Sequence, residues 1–251
     1  DWSSDVCSSD LKQKKGDYTA INDPNELAKT MTQDIRDVLH DKHFSVRYSK
    51  NRPSVGMMRD TAADNRRKAE MERFHAVKNM GFSSLSIMDG NIGYLKIDGF
   101  GPVEFVGKTC TAAITFLNNT DAMIIDLRDN NGGDPEMVQY LCTYFFGETP
   151  VHLNDLYYRE GNRTTEYWTL PKVDGLRYIN KPVYVLINGR TFSAGEEFTN
   201  NMKELKRATI IGETTGGGAN PGDMVELKHG FAAFIPNGRA INPMSKTNWE
   251  G

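Results

Sequence analysis

Excess charge of either sign is missing from this 251-residue chain. Lys and Arg number 30 against 33 Asp and Glu, a net charge of −3. A nucleic-acid binder usually carries a strongly basic domain, so no nucleic-acid partner is expected. Cysteine is scarce: Cys7, Cys110 and Cys142 stand alone, with no C-x-x-C spacing. That excludes a zinc site of this type and a disulfide framework. No run of about 18 apolar residues occurs, so no transmembrane segment is expected in the chain. Internal repeats and low-complexity linkers are also absent. What is present suits a packed core: 38% hydrophobic residues, 10% of the chain aromatic.

The first eleven residues, DWSSDVCSSDL, have no helical or strand period. They resemble translated sequencing-adaptor read-through, so residues 1–11 are set aside as a non-native segment, with a natural polar leader as the alternative. Asp23-Pro24-Asn25-Glu26 is a helix start: a cap residue, proline at the first helical position and an acidic first turn. Apolar residues Leu27, Met31, Ile35, Val38 and Leu39 carry that helix to about residue 40. A charged second helix is expected over 60–80. Leu85 to Met88 and Ile92 to Leu95, joined by Asp89-Gly90-Asn91, form a hairpin signal.

From residue 100 helices and strands alternate. Helices are expected at 102–118, 134–146 and 193–205. Buried strands are expected at 122–127, 182–187 and 209–212, with weaker strands at 223–227 and 231–235. This order argues an α/β core with substantially parallel pairing. Three polar, glycine-containing loops directly follow the three buried strands: Arg128 to Gly133, Asn188 to Ser193 and Glu213 to Gly218. Ligands of α/β sheets bind beyond the carboxyl ends of strands, which suggests one shared site.

Each loop has a plain and a chemical reading. Ser193 with Glu196 spells a capping box, S-x-x-E, in which the serine only satisfies backbone donors. The alternative is a nucleophile at a helix N-terminus, where free N–H groups could stabilise an oxyanion. Thr191 replaces the first glycine of G-x-S-x-G, so the esterase elbow fits poorly. Gly132-Gly133 is a turn or an oxyanion hole. The 213–222 loop lacks the Lys-Ser or Lys-Thr of a phosphate-binding loop, and a substrate-facing role is the modest alternative.

Taken together, IIDLRDNNGG (124–133), GRTFSAGEEF (189–198), IGETTGGGANPG (211–222) and NWEG (248–251) resemble the C-terminal-processing, or tail-specific, serine peptidases. More narrowly they are similar to the branch of the tricorn core and the repeats of interphotoreceptor retinoid-binding protein. The resemblance spans roughly residues 24–251. It implies a crotonase-like, ClpP-type α/β sheet-and-helix peptidase core with a small N-terminal helical subdomain and no PDZ insertion. The corresponding division is an N-terminal helical region at 12–82 and a catalytic domain at 83–251, whose family pattern continues beyond W-E-G.

The family activates its serine in two ways. The lysine of the processing peptidases' G-E-x-T-x-G-K-G loop falls on Gly218 here, so no serine–lysine dyad is available. The tricorn-like branch uses a histidine and a late glutamate, matched by His43 in Asp41-Lys42-His43 and by Glu250. The resemblance therefore implies Ser193 as nucleophile, His43 as general base and Glu250 as the group that orients the imidazole. His43 has a rival reading as a helix-end histidine on the last carbonyls. The amide of Ala194, with that of Gly132 or Gly133, would hold the oxyanion, and Gly216, Gly217 and Gly218 would face substrate. The implied activity is endopeptidase cleavage of extended or unfolded polypeptides, without metal or organic cofactor. A peptide- or apolar-ligand-binding module of the same fold, and a crotonase-like acyl-CoA enzyme, are the competing functions. Members of this branch in bacteria are mostly exported, so the periplasm or cell surface is the expected location. The sequence leaves the oligomeric state unassigned.

Overall fold

The computed structural model describes residue 12, residues 15–50 and residues 61–250. The segment 1–11, set aside above, lies outside the described residues. Contacts divide the described chain into two units.

The first unit takes the residues up to 50, Tyr158–Glu160 and Asn220–Gly238. Its helix α1, Pro24–Leu39, starts as expected: the Asp23 carboxylate accepts from the Asn25 amide at 2.8 Å, and Pro24 sits in the first turn. It stops at His40, which adopts a left-handed φ of 56° and donates its N–H to the Arg36 carbonyl. The apolar stripe Met31, Ile35 and Leu39 packs on Ala28, Phe44 and Val46. That core also rests on a sheet of three antiparallel strands, β1 (Ser45–Tyr48), β9 (Gly222–Glu226) and β10 (Phe231–Pro236), ordered β1-β10-β9. The free edge of β1 is not left open. The Thr32 hydroxyl accepts from the Val46 amide at 2.8 Å, and the Arg36 guanidinium donates to the Phe44 carbonyl at 2.7 Å. Side chains of α1 thus replace a missing neighbouring strand.

The second unit takes residues 61–157, Gly161–Ala219 and those from Arg239 onward. Its five-stranded sheet has the order β2-β3-β4-β7-β8: β2 (Phe82–Met88), β3 (Ile92–Ile97), β4 (Ala122–Asp126), β7 (Val183–Ile187) and β8 (Thr209–Gly212). β2 and β3 form the expected antiparallel hairpin, and the other pairs are parallel. Leu95, Ile125 and Val185 lie side by side in register across three strands, all fully buried. Alternation along each strand sends these residues to one face, where helices α3 (Val103–Leu117), α4 (Pro135–Thr143) and α5 (Ala194–Glu204) cover them. Helix α2 (Thr61–Val77) belongs to this unit, with Lys68 bonded to Glu104 of α3 and His75 stacked on Phe105.

The structure differs from the expectations in its strands, β1 among them, and in its compact units. A second sheet, β11-β5-β6, was not foreseen: β5 (His152–Tyr158), β6 (Arg163–Trp168) and β11 (Gly238–Ile241). By contacts, helix α2 groups with the second unit, while residues 220–238 return to the first, which is therefore helix plus sheet.

Candidate active site

Parallel pairing places the carboxyl ends of β4, β7 and β8 at one end of the sheet, and hydrogen bonds tie their loops together. The Thr191 hydroxyl donates to the Leu127 carbonyl at 2.8 Å, and the Phe192 amide to that of Asn130 at 2.9 Å. Asn188 and Asp129 bond each other twice, through the Asp129 amide and the Asn188 side-chain amide. From the third loop, Glu213 accepts from the Gly189 amide, and the Gly216 amide donates to the Thr191 carbonyl at 2.9 Å. The three loops read from the sequence are one structure.

Ser193 occupies the turn into α5 with φ 53° and ψ −120°. A non-glycine residue in such a conformation costs about 1–3 kcal/mol and persists only where its surroundings impose it. Here Glu196 does so. Its carboxylate accepts from the Ser193 amide at 2.7 Å, while the Glu196 amide bonds the Ser193 carbonyl at 2.9 Å. Ser193 and Glu196 thus form a capping box, the Ser193 side chain facing the Glu196 amide and the Glu196 carboxylate taking the Ser193 amide.

The two glycines beside it have different duties. Gly132, at φ 87°, lies against the nucleophile turn: a Cβ there would stand 2.6 Å from the Ser193 Cβ. Its amide is already committed, donating to the Asn130 side-chain oxygen at 2.8 Å. Gly133, at φ 142°, pairs alongside Phe100, and a Cβ would overlap the Phe100 carbonyl. Among the described residues the amides of Gly133 and Ala194 make no hydrogen bond. Of the two candidate glycines, Gly133 is the one with an N–H to offer an oxyanion.

The glycine-rich loop turns its amides inward. Gly217 and Gly218 donate to the two oxygens of Glu196 at 2.6 and 2.9 Å. The next amide, Ala219, donates to Glu250 at 2.6 Å, and the Trp249 indole donates to the Gly218 carbonyl at 2.7 Å. Glu250 is held in place, with its own amide bonded to the Asn248 side chain.

His43 lies in the first unit, whereas Ser193 and Glu250 lie in the second. The helix C-cap is filled by His40, three residues earlier. The His43 amide donates to the Asp41 carboxylate at 2.8 Å, and the other Asp41 oxygen accepts from Asn220 at 2.9 Å. Burial pushes the His43 imidazole below its usual pKa; Asp41 pulls the other way and Arg36 reinforces the shift. The shift favours the neutral ring, the form that can accept a proton.

Asn130 escaped the sequence reading. Fully buried, it donates to the Ile97 carbonyl at 2.9 Å, accepts from Gly132, and its own carbonyl takes the Phe192 amide. An Asn ahead of Gly-Gly signals only a turn, and nothing local reveals that its side chain selects which amide stays free.

The model for peptidase family S41 matches residues 91–251 of this sequence. The chain belongs to peptidase family S41. A second model, the N-terminal domain of Peptidase_S41 in eukaryotic IRBP, matches residues 4–79, in keeping with the retinoid-binding-protein resemblance. This S41 chain is 31% identical over 157 residues to the chloroplastic carboxyl-terminal-processing peptidase 2 of Arabidopsis thaliana, covering 61% of the chain and 28% of that protein. It is 32% identical over 131 residues to the carboxy-terminal processing protease CtpA of Bacillus subtilis, covering 51% and 26%. The chain thus spans between a quarter and a third of these relatives' length. Among solved structures, a peptidase from Parabacteroides merdae described as putative superposes with a TM-score of 0.61 at 18% identity, over 96% of this chain and 78% of that one. The photosystem II D1 C-terminal processing protease gives 0.51 at 23% identity, over 66% and 42%. Both superpositions bear on the fold, and they agree with the sheet-and-helix core expected from the sequence.

Proposed function

We propose that this S41 chain is the catalytic part of a serine endopeptidase acting on extended polypeptide segments. The observation that carries the proposal is the pair of uncommitted amides, Ala194 and Gly133, beside a serine held at positive φ by its neighbours. Donors already oriented before substrate arrives are what a tetrahedral oxyanion needs, and such a donor is worth about 3–4 kcal/mol.

In the proposed reaction His43 removes the Ser193 hydroxyl proton as Oγ attacks the scissile carbonyl. Negative charge on the carbonyl oxygen is met by the Ala194 and Gly133 amides. Collapse breaks the C–N bond, the imidazolium returns the proton to the leaving amine, and an acyl-enzyme remains. Water, deprotonated by the same histidine, then releases the acid and restores Ser193. Glu250 supports the imidazolium. The roles of His43 and Glu250 rest on the family resemblance; the downward shift of His43 and the anchored Glu250 are consistent with them.

β8 is the last strand of its sheet among the described residues and runs directly into the 213–218 loop. An extended peptide added along that edge would gain main-chain hydrogen bonds whatever its sequence. Gly216, Gly217 and Gly218 would then shape the approach through their missing side chains, since their amides are bonded inward. Export to the periplasm or cell surface belongs to the same proposal and is tested by fractionating cells that express the protein. No helix among the described residues is long and apolar enough to cross a membrane.

The test is cleavage of casein by this chain beside Ser193→Ala and His43→Ala, with products identified by mass spectrometry. Both variants should fold and lose activity by about 10³-fold or more. Cleavage that survives Ser193→Ala would end the proposal. Loss with Ser193→Ala alone would require another base. A folded wild type that binds peptide without cutting it would favour a binding module.

A further inference from the structure

Glu196 collects more than a cap residue needs. It is 2% exposed, and three amides point at its two oxygens: Gly217 at Oε1, Ser193 and Gly218 at Oε2. A capping-box glutamate ordinarily takes one, the N-cap amide. The additional two come from a loop some twenty residues further on, and that loop leads straight to Glu250. Gly218 receives the Trp249 indole on its carbonyl, and Ala219 donates to the Glu250 carboxylate. Hydrogen bonds and the short backbone stretch 217–219 connect the Ser193 amide, through Glu196, to the proposed supporting acid. Charge-assisted bonds of this kind are short and about twice as strong as neutral ones.

We infer that Glu196 is a positioning residue whose carboxylate fixes the nucleophile turn and the seat of Glu250 as one rigid unit. The inference builds on the reading of Ser193 and Glu250 as catalytic. No other side chain fills the role easily. Glutamine keeps the length but offers one acceptor oxygen, and its NH2 group would meet an amide N–H. Aspartate falls one methylene short of the loop. Glu196 does not touch the reacting atoms; it acts through Ser193 and through the loop.

Two measurements on Glu196→Gln test this. The first is amide hydrogen exchange, which requires no activity. Exchange at residues 217–219 should quicken at least tenfold while the body of α5 stays protected. The second is a double-mutant cycle with Glu250→Gln, read as the rate at which a fluorophosphonate probe labels Ser193. Residues tied into one unit should give a combined loss clearly smaller than the product of the single losses. Unchanged exchange at 217–219, or losses that simply multiply, would reduce Glu196 to a helix cap and overturn the inference. A wild type that the probe does not label would sink the nucleophile reading, and the exchange result would still decide whether Glu196 holds the loop.

Discussion

Glu197 sits one residue beyond Glu196 and is also buried, 5% exposed, but collects none of the three amides that its neighbour holds. Burial pushes its carboxyl up to about 8; Asn154 opposes the shift and the charge of Asp134 adds to it. The folded chain at pH 7 therefore retains a proton that the unfolded chain has released. Stability from this group is full below the ordinary carboxylate range and falls as pH rises toward 8, by up to about 1.4 kcal/mol per pH unit. Glu197→Gln removes that dependence. Its urea midpoint should match wild type near pH 4.5, exceed it increasingly up to pH 8 and hold a constant lead above. Parallel curves would mean that Glu197 is ionised in the folded protein. These adjacent glutamates look alike in S-A-G-E-E, because their difference lies in which loops come back to meet them. Ser193 and Ala194, by contrast, came from the family resemblance, since the strand-to-helix turn alone reads as a helix cap. The choice of Gly133 over Gly132 did not come from it, since it depends on Asn130 capturing the nearer amide.

Helix α1 shows how an element can be read from the sequence while its purpose is not. Its cap, proline and apolar spacing place it within a residue, but nothing in that spacing marks Thr32. The structure makes Thr32 the partner of β1: its hydroxyl accepts the Val46 amide and donates toward the carbonyls of Ala28 and Val46. Thr32→Val keeps the shape and removes the hydroxyl. The Val46 amide is then left unsatisfied on a partly buried edge, at a cost of about 1–2 kcal/mol. Urea unfolding of the first unit should report that loss, and a variant as stable as wild type would show that water replaces the hydroxyl freely. β1 itself was missed because four residues, SVRY, carry little periodicity and their partner strand lies beyond residue 230. β5 was missed for a compositional reason: HLNDLYY places Asn and Asp, both poor strand formers, in its middle. Of the five main-sheet strands that the sequence did show, β3, β4 and β7 bury apolar residues under helices, whereas β2 and β8 are largely exposed and were marked by the hairpin turn and by the order of elements.

Hydrolysis by the proposed route draws on residues from both units, His43 from the first and Ser193 and Glu250 from the second. A division by composition or charge could not have found these units. The first closes on strands contributed by residues 222–236, which no local signal connects to residues 24–48. The two cores differ greatly in extent. In the first, Ala28, Phe44 and Val46 are buried, with partly buried neighbours around them; the second buries a continuous layer from Phe82 to Met202. Opening free energy follows buried apolar contact, so the first unit is the weaker one. Val46→Ala removes two methyl groups from its small core and should lower its stability by about 1–3 kcal/mol. Amide exchange should then rise in β1, β9 and β10 and stay unchanged in β3, β4 and β7. Casein cleavage should fall on warming in step with that exchange, while the main sheet remains protected, because the proposed base, His43, belongs to the first unit. Cleavage that persists after the first unit has opened would mean that the base lies in the second unit, and the assignment of His43 would fail with it.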